Sequence, residues 1–268
     1  MDVILSGQVS SVGRTSLEVC IEISTADSAK DLILECFFVM AARDKAGKGV
    51  ELPKLELNAD MQRKSAERKA KRKQEAHDVS ETMKNGLTAA EFQLLHEYIT
   101  SAGKKYKSST PMKDTELSAV KITEPQQRNT NNRIFGGYLM REAFEVAHAV
   151  AIEFAGPSAR PFCMSVDEIT FIKPVEIGSL VKFKGKVVYT GISKKAMQVK
   201  VKTYIHNLNT LERYTSNEFR FTFASEVPLP TVIPSTFVEG MNFLDGRRSH
   251  RRCKQLAKEQ KSALQDNY

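Results

Sequence analysis

One stretch constrains the fold more than any other: residues 129–154, NTNNRIFGGYLMREAFEVAHAVAIEF. A polar loop ends there in two adjacent glycines and continues at once into a long apolar segment. Apolar side chains recur in this segment at helical spacing and form two neighbouring stripes that cover more than half of a helix circumference. The stripes are Leu139, Ala143, Val146, Val150 and Phe154, and beside them Met140, Phe144, Ala147 and Ala151. The sequence therefore predicts a helix that is buried on most of its sides.

Segments of alternating hydrophobicity follow this helix. They cover residues 162–172, 180–189, 197–207 and 213–225, with turns marked by Gly191 and by the asparagines near position 207. Period-two alternation is typical of strands that face a core on one side. A buried helix followed by such strands predicts an α+β fold in which a long central helix is wrapped by an antiparallel sheet.

The first 44 residues contain three more strands and no preceding helix. Their sequence SGQVSSVG, residues 6–13, resembles KGKVVYTG, residues 184–191, and LEV at 17–19 then resembles MQV at 197–199. An internal repeat indicates two copies of one structural unit. The second copy is complete, whereas the first holds only its last three strands. We therefore expect the chain to begin inside the first unit.

The sequence predicts four segments. Residues 1–44 are the last strands of a truncated first unit, 45–113 a charged and partly helical linker, 114–227 a complete second unit, and 228–268 an extended and basic helical tail. In the linker, a helix over residues 87–102 is predicted to start at a capping box of Thr88 and Glu91 and to end at Gly103.

Charge and composition exclude some classes of function. Much of the net charge of +8 comes from two basic clusters near residues 63–73 and 247–254. No aromatic residues are interleaved in either cluster, which argues against stacking on nucleic acid bases and favours solvated helix faces. No run of about eighteen apolar residues predicts a membrane span. The four cysteines lack metal-binding spacing, so we predict free thiols and no metal site.

The glycine pair at the start of the central helix is a candidate site. The first N–H groups of a helix have no internal partner and carry partial positive charge, and glycine allows a ligand to approach the backbone closely. Gly136 and Gly137 could therefore bind an anion or a developing oxyanion. A plain turn with no ligand is the alternative that the pair alone leaves open.

The sequence around this junction resembles a known family. Residues 132–145, NRIFGGYLMREAFE, look like the helix start of hotdog-fold acyl-CoA thioesterases, and residues 166–178, VDEITFIKPVEIG, look like their next strand and turn. The resemblance to the double-hotdog type extends to the strands of residues 1–44. It implies one complete hotdog plus the last strands of another.

The same resemblance implies the activity. Members of the family hydrolyse fatty acyl-CoA to free fatty acid and CoA without a cofactor. Hotdog units bury their sheets by pairing, so a homo-oligomer is expected. The resemblance implies a mitochondrial location, with the cytoplasm as the alternative because this chain shows no presequence.

The resemblance also implies roles for individual residues. Asn131 occupies the position of a catalytic asparagine five positions before the first glycine, with Asn132 as its competitor and as a substrate-binding residue. Gly136 and Gly137 bind the substrate and polarise the thioester carbonyl.

The carboxylate departs from the family pattern. Related single-domain enzymes carry an aspartate eight positions after the first glycine, where this chain has Phe144, so Glu145 is the candidate acid. The alternative is that Glu145 only pairs with His148. In the double-hotdog type the acid appears to come from the helix of the first unit. A chain without that helix would then be a non-catalytic acyl-CoA-binding or assembly subunit. A third interpretation, nucleic acid binding, rests on the basic clusters alone.

Overall fold

The fold was determined from a computed structural model, which describes residues 2–26, 32–44, 46–105, 109–166, 169, 171–191 and 193–265. Residues 71, 72, 75–85, 101–105 and 256–265 are described by their backbone alone. The chain divides into two compact units, Met1–Gly86 and Leu87–Tyr268. The finer four-segment division stays a prediction.

Unit 1, Met1–Gly86, is a three-stranded antiparallel sheet with one helix. The strands are β1 (Val3–Val12), β2 (Ser16–Thr25) and β3 (Leu32–Ala41), in the order β1-β2-β3. The three strands predicted for the first 44 residues are thus confirmed. Helix α1 (Ala59–Asn85) follows, and its first turn is capped by the side chain of Asn58.

Helix α1 lies against one face of this sheet. The guanidinium of Arg68 on α1 bonds to the buried carboxylate of Glu18, with 2.9 Å between Nη2 and Oε1, and stacks over the ring of Phe37 at 4.3 Å. The hydroxyl of Ser10 donates a hydrogen bond of 2.8 Å to the same carboxylate oxygen. The charged face of α1 is therefore held by an ion pair rather than by an apolar stripe.

Unit 2, Leu87–Tyr268, contains the long central helix and two sheets. Five strands form one antiparallel sheet in the order β5-β7-β8-β9-β6, and β4 and β10 form a short parallel pair. The elements are α2 (Ala89–Lys105), β4 (Ser109–Pro111), β5 (Leu117–Ile122), α3 (Gly136–Ala155), β6 (Phe162–Val166), β7 (Leu180–Thr190), β8 (Ala196–His206), β9 (Arg213–Ala224), β10 (Thr231–Ile233) and α4 (Phe237–Gln265). Short 3-10 turns cover Met112–Thr115 and Pro125–Gln127.

The apolar stripe of α3 packs on the five-stranded sheet and forms the core of unit 2. Leu139, Ala143 and Val150 on the helix, and Val181 and Phe183 on β7, are each at most 2% exposed. Burial of this stripe is the dominant favourable term for such a layer arrangement. The predicted α+β fold, a central helix wrapped by an antiparallel sheet, is confirmed.

The internal repeat is also present in the strand registers. Val9 pairs with Val19 in unit 1, and the matching Val187 pairs with Val199 in unit 2. Each ladder has a bulge immediately after that pair. One copy thus repeats the backbone pairing of the other, including its irregularity.

Two predicted boundaries were wrong. Helix α2 continues through Gly103 to Lys105, since one glycine weakens a helix without ending it. Strand β6 ends at Val166 instead of residue 172, because Phe171 leaves the sheet and lies against the start of α3; residues 167, 168 and 170 lie outside the described residues. Helix α4 begins at Phe237 because Thr236 and Glu239 form hydrogen bonds that cap it.

None of the helices in the described residues is both long enough and apolar enough to cross a membrane.

Candidate active site

The loop before α3 is organised by the side chain of Asn129. Its Oδ1 accepts hydrogen bonds from the backbone N–H groups of Asn131 at 2.9 Å and Arg133 at 3.1 Å. Arg128 and Ile134 form an antiparallel bridge that closes the loop. A side-chain oxygen that bonds to nearby backbone in this way fixes a turn. Asn129 therefore holds the two asparagines that the sequence analysis selected.

Asn131 and Asn132 lie at the exposed tip of this loop. Asn132 has a φ of 54°, in the left-handed region that asparagine tolerates better than most residues. The left-handed backbone conformation thus explains why an asparagine occupies this position. Both side chains are accessible to a ligand, and the catalytic role of Asn131 stays a prediction.

Helix α3 begins at Gly136 without a side-chain cap. The Phe135 carbonyl accepts the N–H groups of Tyr138 at 3.1 Å and Leu139 at 3.4 Å. Among the described residues, no acceptor is recorded for the N–H groups of Gly136 and Gly137. Two amides at the positive end of a helix dipole are therefore available to an oxyanion.

Both glycines are half-buried, with an aromatic ring against each. A Cβ atom built on Gly136 would lie 2.8 Å from the Cζ atom of Phe171, and one built on Gly137 would lie 2.4 Å from the Cε1 atom of Phe135. Real Cβ atoms do not approach other atoms so closely, so the rings would have to move. The close fit explains why glycine occupies both positions.

Glu145 is placed on the exposed side of α3. Its carboxylate bonds to Arg141 one turn earlier, at 2.9 Å. The alternative pairing with His148 was wrong, because that ring instead stacks between Phe144 and Phe223, with centroid distances of 5.8 and 5.9 Å. Phe144, at the eighth position after Gly136, packs against Phe221 and Phe223 of β9. The catalytic role of Glu145 stays a prediction.

Glu142 is the buried carboxylate of α3, and the sequence analysis did not select it. Glu142 is 9% exposed, and the ammonium nitrogen of Lys121 on β5 lies 3.3 Å from its carboxylate. Burial, together with the nearby Glu142 charge and a hydrogen bond to it, raises the pKa of the Tyr138 hydroxyl above its ordinary value. Glu142 follows Tyr138 by four residues, which places both side chains on one face of the helix. This spacing was the signal in the sequence that could have pointed to Glu142.

Helix geometry favours Glu142 over Glu145 as a partner of the glycine amides. With a rise of about 1.5 Å per residue, Glu142 lies roughly 9 Å along the axis from Gly136, and Glu145 roughly 13 Å. Helical side chains also point toward the N-terminus, which brings Glu142 nearer to the loop. Of these two carboxylates, Glu142 therefore lies nearer to the junction along the helix axis.

One group of possible metal ligands occurs in the described residues, and it lies in unit 1. Ligand atoms of Cys20, Glu22 and Glu35 are all within 4.8 Å of one another. Burial, followed by the charges of the two glutamates, raises the pKa of the Cys20 thiol to about 11. A thiol must lose its proton to bind a metal, so a metal at this group would have to displace that proton.

Comparisons with known proteins agree with this geometry. Residues 131–206, which contain most of the loop, α3 and all of β6, β7 and β8, match the family model described as the thioesterase superfamily. The chain is 35% identical over 264 residues to mitochondrial acyl-coenzyme A thioesterase 9 of Mus musculus. This alignment covers 92% of the chain but only 59% of that relative, so the chain spans about three fifths of its length.

Solved structures show the same fold. An acyl-CoA hydrolase from Bacillus cereus superposes with a TM-score of 0.53 at 25% identity, covering 59% of this chain and 98% of the other. A hexameric acyl-CoA thioesterase solved without ligand superposes with a TM-score of 0.52 at 25% identity, covering 56% of this chain and 97% of the other.

Proposed function

We propose that the chain, whose residues 131–206 match the thioesterase superfamily model, is a member of that family and hydrolyses fatty acyl-CoA to free fatty acid and CoA. The observation that carries the proposal is the uncapped start of α3, where two glycine amides lie beside an ordered asparagine loop. This junction can stabilise the oxyanion that every thioester hydrolysis forms.

In the proposed reaction the N–H groups of Gly136 and Gly137 bind the carbonyl oxygen of the thioester. Water attacks the carbonyl carbon, and the negative charge moves to that oxygen, which the helix dipole stabilises. The tetrahedral intermediate collapses as the carbon–sulfur bond breaks. CoA leaves as the thiolate and then takes up a proton, and the fatty acid is released.

We assign proton removal from the water to the Glu142 carboxylate, with Asn131 orienting the water or the substrate. Glu142 lies nearer than Glu145 to the glycine amides along the helix axis, which supports this assignment, and the Tyr138 hydroxyl and Lys121 ammonium hold the carboxylate in place. Glu145 is the competing carboxylate. It would need a partner molecule to bring substrate to the exposed side of α3.

A second candidate is a non-catalytic acyl-CoA-binding or assembly subunit. The observation that favours it is the Lys121–Glu142 pair, which engages the only buried carboxylate on the described part of α3. In this alternative the junction binds the acyl-CoA carbonyl, but no base activates water.

Partners and location belong to the same proposal. We infer a homo-oligomer, because the edge strand β6 exposes three alternating apolar side chains, and a solved relative is hexameric. These side chains are Phe162, Met164 and Val166. Open apolar edges of this kind are usually paired. We place the protein in mitochondria because the curated relatives with 34–36% identity are mitochondrial enzymes.

The test is release of CoA thiol from short-, medium- and long-chain acyl-CoA by the purified chain. We expect Glu142→Gln to lower kcat by roughly 100-fold or more, the range for loss of a general base, with Glu145→Gln within a few-fold of the parent. The opposite order would assign the base to Glu145. No CoA release from any substrate, with a raised Tm on adding acyl-CoA, would overturn hydrolysis and support the binding subunit.

A further inference from the structure

A cleft of about 490 Å³ lies in unit 1, between the turn that joins β1 to β2 and the loop that follows β3. This volume is within the range of small-molecule sites in proteins. The polar residues that line it are Arg14, Thr15, Arg43, Lys48 and Glu51, and we call the site the basic cleft. Three cations and one carboxylate give this lining a net charge of +2 at neutral pH.

Backbone hydrogen bonds hold the two sides of the basic cleft together. The carbonyl of Thr15 accepts the N–H of Ala42 at 2.9 Å, and the carbonyl of Arg14 accepts the N–H of Leu52 at 2.9 Å. Within the loop, the N–H of Val50 donates to the carbonyl of Ala42 at 3.0 Å. The cationic side chains take no part in these bonds, so the backbone of the cleft is formed without a ligand.

The loop that carries two of the cations has its own fixed shape. Arg43 and Gly49 form an antiparallel bridge across it, and Gly47 turns the chain with a φ of 81°, which glycine adopts without strain. The carboxylate of Asp44 accepts the backbone N–H of Lys48 at 2.8 Å, an arrangement that fixes turns. Arg43 and Lys48 are therefore held at defined places on the rim of the basic cleft.

The cations of the basic cleft are available to a ligand. Among the described residues, the side chains of Arg14, Arg43 and Lys48 form no ion pair. The Nη1 group of Arg43 donates a hydrogen bond of 2.8 Å to the carbonyl of Gly47, which orients the guanidinium and leaves its other N–H groups for a ligand. Cations that line one concave site attract anions, so the basic cleft favours an anionic ligand.

The internal repeat shows that the loop of the basic cleft is an addition to the repeated fold. In unit 2 the carbonyl of Lys194 accepts the N–H of Leu229, and that of Lys195 accepts the N–H of Ser225. These bonds are the counterparts of the two that join the turn and the loop in unit 1. Three residues separate the two donors in unit 2, but nine separate them in unit 1. The longer connection carries two of the three cations, so the basic cleft is particular to unit 1.

We propose that the basic cleft binds the diphosphate group of a small organic molecule. The guanidinium groups of Arg14 and Arg43 match phosphate oxygens in a fork geometry, and Lys48 adds a point charge. A diphosphate carries more negative charge than a single phosphate and engages all three cations at once. The Thr15 hydroxyl and the Glu51 carboxylate bind hydroxyl groups of the organic part. This binding does not depend on the proposed hydrolysis.

The test titrates inorganic pyrophosphate into the full chain at constant ionic strength and follows binding by calorimetry. Arg14→Ala and Lys48→Ala each remove one cation from the basic cleft, and both side chains are exposed. Lys54→Ala is the matched control, because it removes an exposed cation of the same unit that does not line the cleft. Arg43 is left intact, since its side chain also bonds to the loop.

We expect saturable binding at one site, which Arg14→Ala and Lys48→Ala each weaken at least about tenfold, equivalent to about 1.4 kcal/mol, while Lys54→Ala leaves it unchanged. All three variants should keep the parent Tm in the absence of pyrophosphate, because the substituted side chains are exposed. Absence of saturable binding would overturn the proposal. An equal loss in Lys54→Ala would also overturn it, since the attraction would then follow the net charge of the chain.

Two further ligands separate the possible sources of the diphosphate. CoA carries such a group itself, so displacement of pyrophosphate by CoA that Lys48→Ala weakens would assign the basic cleft to CoA. Pyrophosphate binding that CoA leaves unchanged would assign it to a separate metabolite, and both results support a diphosphate site. Displacement by sulfate at the same concentration as pyrophosphate would contradict the proposal, because the cleft would then hold any small anion.

Discussion

Gly185 on β7 lies directly beneath Val146 on α3, so close that a Cβ on the glycine would stand 2.9 Å from a valine methyl group. The contact sets the distance between the central helix and its sheet. Because interiors are close-packed, neither layer can yield without disturbing the rest of the core. At the matching glycine of the first unit, Gly7, a Cβ would meet its nearest atom only at 3.9 Å.

We predict that Gly185→Ala destabilises the protein by about 1–3 kcal/mol, since an added methyl group would overpack the core. The matched control is Gly7→Ala, which should be neutral or slightly stabilising because alanine loses less backbone entropy in a strand. Urea unfolding of both variants checks the difference. Equal destabilisation by the two substitutions would show that crowding by α3 is not the cause.

The loop before the helix depends on Asn129. We predict that Asn129→Ala lowers kcat/KM for acyl-CoA, because two backbone N–H groups lose their acceptor and Asn131 loses its fixed position. The stability cost should be about 1 kcal/mol, the usual contribution of such hydrogen bonds. Asn129→Asp keeps an acceptor oxygen and should restore most of the activity. Failure of the aspartate to do so would indicate a direct contact between the Asn129 amide and substrate.

The spacing of apolar residues was sufficient to predict the central helix and most strands. Burial of one face of a helix or strand imposes the period of that element directly on the sequence. The stripe through Leu139 and Val150 and the alternation through β7 to β9 are examples. Hydrogen bonds between residues close in sequence could also be predicted. The Thr88 and Glu91 side chains do cap the start of α2, as the capping-box pattern indicated.

What could not be predicted depends on contacts between segments distant in sequence. Glu142 is buried because Lys121, on a strand that precedes the loop, lies over it. Phe171 ends its strand early because its ring lies against Gly136, 35 residues earlier. Periodicity assigns a residue to a face, but it does not say which other element covers that face. The burial of Glu142 was beyond the sequence for this reason, although its spacing from Tyr138 was visible there.

The buried charge of unit 1 supplies another test. Glu18 is 2% exposed and bonds to Arg68, which also covers Phe37. We predict that Arg68→Met destabilises unit 1 by about 3–5 kcal/mol, since the buried carboxylate loses its cation. The double variant Arg68→Met with Glu18→Gln should recover much of this loss. Chemical unfolding of the three proteins makes the comparison, and additive losses in the double variant would contradict the pairing.

The Glu91–Arg248 pair makes stability depend on pH in a defined window. Two hydrogen bonds of 2.8 Å join the carboxylate of Glu91 on α2 to the guanidinium of Arg248 on α4. The arginine, with help from the Thr88 N–H, lowers the pKa of Glu91 from its ordinary value of 4.5 to about 2. The folded state therefore binds this proton more weakly than the unfolded chain, and the pair stabilises the fold whenever the carboxylate is ionised.

We predict that this contribution, about 1–3 kcal/mol for hydrogen bonds to a charged group, is complete above pH 4.5 and falls as the pH drops toward 2. Glu91→Gln removes the charge but keeps an oxygen that can accept the Thr88 N–H. The parent should exceed the variant in free energy of unfolding by a constant amount from pH 7 to about pH 5, and the difference should shrink at pH 4 and pH 3. Urea titrations at these pH values measure it. A difference that stays constant down to pH 3 would place the stabilisation in packing between α2 and α4 instead of in the ion pair.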